Sequence, residues 1–321
     1  MSHLIETMAF MGETPWHELG NVLPPKQPVE VWAKRAGMDW SIRETPVCYR
    51  TNGIDRDHAV LDFEDRKVLY RSDTGAALSV VGNRYEVVQP RDVLEFYRDL
   101  TTAFGFELET AGVLKGGRKL WALARTGQDA VLKGRDAVAN FLLLATSCDG
   151  SLATVAMPTS VRVVCQNTLS AAIQGAHNAI KVPHSRKFDP AAVKRQLGIA
   201  TSQWAMFLDR IQAMANRRVK TVEASAYFER VLGLVAGGDA PALPAHGRAL
   251  KRMHDLFDGQ GRGAELASAK GTTWGLLNAV TEFVDHERRA RSRAHRLDSA
   301  WFGQGASLKQ QAFDLAVDMV R

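Results

Sequence analysis

Cationic side chains and flat rings recur together along this chain, a combination suited to gripping a phosphate backbone while stacking bases. Arg84-Tyr85 follows Gly82-Asn83, and Arg118-Lys119 precedes Trp121 by one residue. Arg162 interrupts the apolar run Val161 to Val164, the polar pair Gln166-Asn167 follows it, and His184-Ser185-Arg186-Lys187 closes the region. In this scheme Arg84, Arg118, Lys119, Arg162, His184, Arg186 and Lys187 contact phosphates, and Tyr85 and Trp121 stack on bases. Gln166 and Asn167 complete the set, because a buried sheet has no need of polar residues there. A strand over 118–125 puts Lys119, Trp121, Leu123 and Arg125 on one face and Leu120, Ala122 and Ala124 on the other. The alternative for that face is a Trp covered by a helix, with the cationic stems lying over it.

Other chemistries have less to stand on. No P-loop, G-x-S-x-G, H-E-x-x-H or dinucleotide fingerprint occurs in its required context. Cys165, Asn167 and His184 can be assembled into a cysteine hydrolase centre, but a cysteine inside Val-Val-Cys suits a small buried hydrophobe better. Asp62, Glu64 and Asp65 could bind a metal or mark a solvated strand end. His17 lacks a second ligand at suitable spacing and reads as a hydrogen-bonded structural histidine. Three cysteines, Cys48, Cys148 and Cys165, are too widely spaced for a zinc site and odd in number for a disulfide framework. No cofactor or metal is expected.

The elements that must position these residues are organised around 140–187. Two apolar runs flank Asp149-Gly150, a dipeptide that favours a tight hairpin turn. Asn167 then suits the N-cap of a helix. Upstream, 46–88 reads as short strands at 47–49, 59–63, 67–70 and 78–88, with turns at Asn52-Gly53 and Asp73-Thr74-Gly75. Pro90 opens a helix of about three turns carrying Val93, Leu94, Tyr97, Leu100 and Phe104. A hairpin over 106–114 and 118–125 turns at Lys115-Gly116-Gly117. Residues 1–50 look irregular apart from a short helix at 30–36. Beyond Lys187, Asp189-Pro190 starts a long helix whose stripe runs from Val193 to Met214. Further helices fall at 222–236, 244–257, 272–287 and 306–320. The cationic run Arg288 to Arg296 reads as a solvated loop. On a common face with the other cations, it would extend a track for a phosphate backbone.

The resulting fold class is α+β: an antiparallel, hairpin-rich sheet with one or two packed helices, followed by a helical C-terminal region. It divides into an irregular N-terminal arm (1–50), an α+β core domain (51–187) and the helical region (188–321). The 321 residues carry a formal charge of +6, and the pI near 9.3 favours an anionic partner. No apolar run approaches the roughly 20 residues that span a bilayer. Met1 to Glu6 lack the basic and apolar regions of a secretory signal. A cytoplasmic protein without a membrane partner is therefore expected.

Several blocks resemble the phage/plasmid-like family of unknown function numbered 932. They are Gly12 to Gly20, Ala36 to Trp40, Val81 to Gln89, Ala111 to Arg118, Val161 to Leu169 and Trp274 to Glu282. Cys148-Asp149-Gly150 departs from the His-Asp-Gly that the resemblance implies. The mobile-element setting of such proteins implies replication, recombination or defence. The hairpins followed by a helix, with Gly82-Asn83-Arg84-Tyr85 and a basic rim, are more distantly similar to phage single-strand annealing proteins. That likeness implies a homo-oligomer, in rings or filaments, that binds single-stranded DNA for recombination in the host cytoplasm without a nucleotide cofactor. Two other expectations stand beside it: a mobile-element interaction protein acting on host defence, and an enzyme dependent on cysteine or a metal.

Overall fold

The computed structural model describes residues 5–12, 20–51, 60–164, 167–169, 179–198, 201–234 and 244–321. In chain order the first elements are β1 (Ile5–Met11), β2 (Asn21–Leu23), α1 (Val29–Arg35), β3 (Ile42–Arg50), β4 (Val60–Arg71), β5 (Ala77–Gly82) and α2 (Pro90–Phe104). Then come β6 (Glu107–Leu114), β7 (Lys119–Leu132), β8 (Asp136–Ser147), β9 (Thr154–Arg162), β10 (Asn167–Leu169) and β11 (Ile180–Val182). The helices α3 (Pro190–Gly198), α4 (Thr201–Asn216), α5 (Thr221–Val231), α6 (Pro244–Asp255), α7 (Thr273–Glu282), α8 (Arg293–Phe302) and α9 (Gln304–Asp318) follow.

Among the described residues the main sheet has the order β10-β9-β8-β7-β6-β1-β2, with β11 also pairing β9. It is antiparallel except for the β1–β2 pair. A second sheet, β3-β4-β5, stands beside it. The fold is thus α+β with antiparallel sheets and a helical C-terminal region.

Local signals explain the hairpins. Gly150 at φ +73° turns β8 into β9. At the β6–β7 turn, Gly117 has φ +108°, and a Cβ there would sit 3.0 Å from both Trp40 and Leu78, so only glycine closes it. In α2, Pro90 fills N1, Asp92 Oδ2 accepts the Gln89 N–H at 3.0 Å, and Gly105 ends the helix at φ +69°. The Gln89 side chain turns away to bond both backbone groups of Ile42, tying the helix start to the second sheet.

Helices cover both faces of the main sheet. Leu120, Ala122, Ala124, Leu142 and Leu144 share a core with Val93, Leu94, Tyr97 and Leu100 of α2. The Tyr97 hydroxyl lies 2.9 Å from the Ala122 carbonyl and 3.0 Å from that of Leu142. On the other face Trp121, Leu123, Leu143 and Ala145 pack with Phe207, Leu276, Val280, Leu297 and Phe313 of the C-terminal helices. Burial on both sides accounts for the uninterrupted apolar run of β8.

Several sequence expectations change. The N-terminal residues supply β1 and β2 to the main sheet. The two strands expected at 59–63 and 67–70 form one continuous β4, and the strand expected over 78–88 ends at Gly82. Asn167 opens a strand paired with Arg162, where a helix N-cap was expected. The long helix beginning at Pro190 appears as α3 and α4, with 199–200 outside the described residues. The cationic run was expected to be a loop, yet its second half enters α8. There Ser292 accepts the His295 N–H at 3.2 Å, and Ala294, Leu297, Ala300 and Trp301 are buried. The cations had masked an amphipathic stripe.

A buried ionic node fastens the helical layer to the far end of the sheet. Asp136 accepts Arg162 Nε at 2.7 Å and Nη2 at 2.9 Å, Ser268 Oγ at 2.6 Å and Trp274 Nε1 at 3.0 Å. Arg162 also donates to the carbonyls of Arg262 and Gly263. Removing one member leaves an uncompensated buried charge, costing about 3–5 kcal/mol, whereas replacing both ions with apolar residues costs less. Chemical denaturation should therefore show Asp136→Ala to be more destabilising than Asp136→Ala/Arg162→Leu; the reverse order would show that the pair carries no mutual compensation.

Candidate functional site

The β6–β7 and β8–β9 turns leave the main sheet at the same end, where the β5–α2 segment and residues 183–187 meet them. The Cys148 N–H donates to the Arg118 carbonyl at 2.9 Å. The Ser79 hydroxyl bonds the Cys148 carbonyl, and the Tyr85 hydroxyl donates to the Ser147 carbonyl at 2.8 Å. The Glu86 N–H donates to the His184 carbonyl at 2.6 Å. The His184 ring stacks on Tyr85, centroids 4.4 Å apart and planes 16° apart. Its Nδ1 lies 3.0 Å from the Glu86 carbonyl and its Nε2 3.0 Å from the Leu152 carbonyl. A doubly protonated ring donates to both carbonyls; a neutral ring donates to one. Around this pair Arg84, Arg118, Arg186 and Lys187 are exposed, together with Glu86, while Asp149 is half-buried.

The turn itself is electrostatically settled. Burial and the neighbouring Asp149 charge push the Cys148 thiol up to about 12, which leaves it a protonated, unreactive group. Burial pushes the Tyr85 phenol well above its usual range. Burial also acts upward on Asp149, but hydrogen bonds from Ser151 and Ser147 and the Lys119 charge more than offset it and hold the carboxyl below its ordinary value.

Four of the residues chosen from the sequence are placed elsewhere or occupied. Trp121 is 1% exposed, edge-to-face with Trp301 of α8 at 4.8 Å, so it offers no ring to a base. Lys119 is buried, its Nζ 2.6 Å from Asp298 Oδ1 and 5.3 Å from the Phe302 ring centroid, so its charge is matched internally. The covered-Trp alternative is the one realised. Arg162 is bound in the Asp136 node, and Asn167 pairs with it at the opposite end of the sheet. The eleven residue steps of β8 separate the two ends by about 36 Å. Gln166, Cys165 and His17 lie outside the described residues, so the Cys165–Asn167–His184 centre has no geometry to weigh. His184 itself has both ring nitrogens engaged by carbonyls.

The structure adds a group that the residue choice lacked. Asp298 of α8 bridges Lys119 and Lys115, at 2.6 and 2.8 Å, and the two ammonium groups hold its carboxyl low against the upward push of burial. Along α8, Asp298 meets the strand ends and Trp301 meets Trp121 two residues further in. Arg289, Arg291 and Arg293, which lead into α8, are exposed. The available signal was the spacing of Ala294, Leu297 and Trp301 behind Ser292.

No cluster of potential metal ligands occurs among the described residues, and no helix among them is long and apolar enough to cross a membrane. The class defined is an α+β protein with a helix-covered antiparallel sheet and a cation-rimmed end. A family model described as Domain of unknown function (DUF932) matches residues 77–301, and the chain belongs to that family. No curated protein and no solved structure matches it.

The acid most displaced from its usual range lies away from this end. Glu109 occupies the irregularity in β6, near Arg125 and Asp129. Burial raises it to about 7, against a partial lowering by Arg125. The folded protein therefore retains a proton that the unfolded chain releases at the ordinary glutamate value. Stability falls as pH rises from about 4.5 to about 7, by about 3 kcal/mol from this group. Denaturation across pH should show Glu109→Gln flattening that decline; an unchanged slope would assign the decline to other groups.

Proposed function

We propose that this protein binds nucleic acid, single-stranded DNA in the first place, in the recombination of a mobile element. The phosphate backbone is gripped at the sheet end carrying the β6–β7 and β8–β9 turns. The observation that carries this reading is the convergence there of exposed cations from separate stretches: Arg84, Arg118, Arg186 and Lys187. A net charge of +6 supports attraction of a polyanion to that end.

The mode of contact differs from base stacking by a strand-face Trp. Trp121 is sealed under α8, and one face of Tyr85 is covered by His184. Affinity then comes chiefly from phosphates and counterion release, so it is steeply salt-dependent and tolerant of sequence. The annealing of complementary strands is the specific activity we assign to this surface.

Fluorescence anisotropy with a labelled single-stranded oligonucleotide tests the reading. Binding at low salt should weaken with a slope of about −0.7 per phosphate contact in log K against log [salt]. Arg118→Glu/Arg186→Glu should lower affinity at least about tenfold, about 1.4 kcal/mol, with the folded spectrum retained. Duplex DNA and RNA competitors report the preferred strand. An absence of binding at low salt, or a double variant that binds like the parent, would remove this surface as the interface.

A further inference from the structure

Among the described residues, two exposed apolar features occur, one protruding and one recessed. The protruding feature is the outer half of the β3–β4 hairpin. Val47 pairs with Phe63 and Tyr49 with Leu61 in an antiparallel register, so all four side chains share one face. Strand β5 pairs with β4 only from Arg66 onward, leaving this half a two-stranded ribbon. Tyr49, Leu61 and Phe63 are 48%, 43% and 47% exposed. Such a ribbon is marginal in water alone, and an apolar face on it favours cover by another surface. Asp62 and Glu64 alternate to the reverse face, where Asp62 Oδ1 accepts Cys48 Sγ at 3.0 Å, and both are exposed together with Asp65.

The recessed feature is a cleft of about 530 Å³ between α2, the sheet and the α3–α4 pair. Leu100, Phe104, Leu142, Pro158, Leu197 and Trp204 give it an apolar lining. Phe104 is 69% exposed at its edge, so the chain's own ribbon does not cover it. The cationic residues Lys194 and Arg195 also line it. Lys194 is paired with Asp99 at 2.9 Å; Arg195 is exposed and has no ion pair among the described residues.

We propose that the ribbon of one copy seats in the cleft of a second copy. The apolar pairs enter the cleft, and the Asp62–Asp65 fringe meets Lys194 and Arg195. The two features are alike in apolarity and opposite in shape and in the sign of their flanking charge. Because every copy carries both halves, the contact is heterologous. Successive copies close into a ring if the rotation per step allows it and otherwise extend as a filament. The assembly needs no nucleic acid and is independent of the function proposed above.

The experiment uses the purified full-length protein, nuclease-treated, in light scattering coupled to size exclusion through the micromolar range. Wild type should show concentration-dependent association. Phe63→Ser, which spoils the ribbon, and Arg195→Glu, which spoils the cleft, should each weaken association about thirtyfold, the size of a lost interface hot spot. Both positions are exposed, and circular dichroism verifies retained folding. An equimolar mixture of the two variants joins one intact ribbon to one intact cleft and should yield dimers and nothing larger. A wild type that stays monomeric, either variant assembling like the parent, or a mixture that stays monomeric would overturn the proposal and leave the oligonucleotide result untouched. Among these, monomeric wild type would reassign the cleft to a different occupant, such as a small molecule or a foreign peptide.

Discussion

The carboxylate of Asp136 is the point on which the described fold hangs. It is 1% exposed and receives donors from Arg162 on β9, from Ser268 and from Trp274 on α7, so strand, loop and helix converge on two oxygen atoms. An isolated carboxylate in that position would be severely penalised by desolvation. With four hydrogen bonds and an opposite charge it becomes a fixed reference for the register of β8 with β9 and for the placement of α7. The guanidinium is similarly engaged, reaching on to the carbonyls of Arg262 and Gly263. Packed apolar surfaces tolerate sliding; this node does not, because any shift unpairs a buried charge.

The opposite end of the sheet is held by different means. Lys115 and Lys119 close on Asp298, and Trp121 meets Trp301, so α8 is fastened over the strand ends. Together the two anchorages place helices across one sheet face while α2 occupies the other. The broad faces are consequently closed to macromolecules. What remains for recognition is the rim of turns, the projecting second sheet and the cleft beside α3 and α4.

This explains which parts of the molecule were legible in the sequence. The hairpins across Asp149-Gly150 and Lys115-Gly116-Gly117, the helix opened by Pro90 and most C-terminal helices rest on local backbone preferences, and they appear where those preferences put them. The contribution of β1 was hidden because its pairing partner, β6, lies about a hundred residues away. The α8 stripe was hidden because charge density was taken as a sign of solvent, although Ala294 within the run and Leu297, Ala300 and Trp301 beyond it face inward. The cation set split for a related reason. A lysine or arginine is available to a ligand only if folding brings no carboxylate to it, and Asp136 stands 26 residues from Arg162 while Asp298 stands 179 from Lys119. Neither separation leaves a trace in local pattern.

Pairing inside the molecule also changes what the net charge means. Asp136 with Arg162 and Asp285 with Lys309 are mutually neutral and buried, so each pair withdraws one cation and one anion from the surface. The excess of +6 is unchanged by this subtraction and resides on the remaining groups. Its effect depends on where those groups lie. At the turn end, Arg84, Arg118, Arg186 and Lys187 are exposed around the Tyr85–His184 stack. Attraction between such a rim and a strand of phosphates is long-ranged compared with a contact but is screened within about 10 Å at ordinary salt. Cations scattered over a protein this size would act separately, whereas cations gathered on neighbouring turns act on the same few phosphates. The anchoring of α8 by Asp298 is therefore more than a packing detail, because it sets whether the Arg289–Arg293 segment adds to that field or stands apart from it.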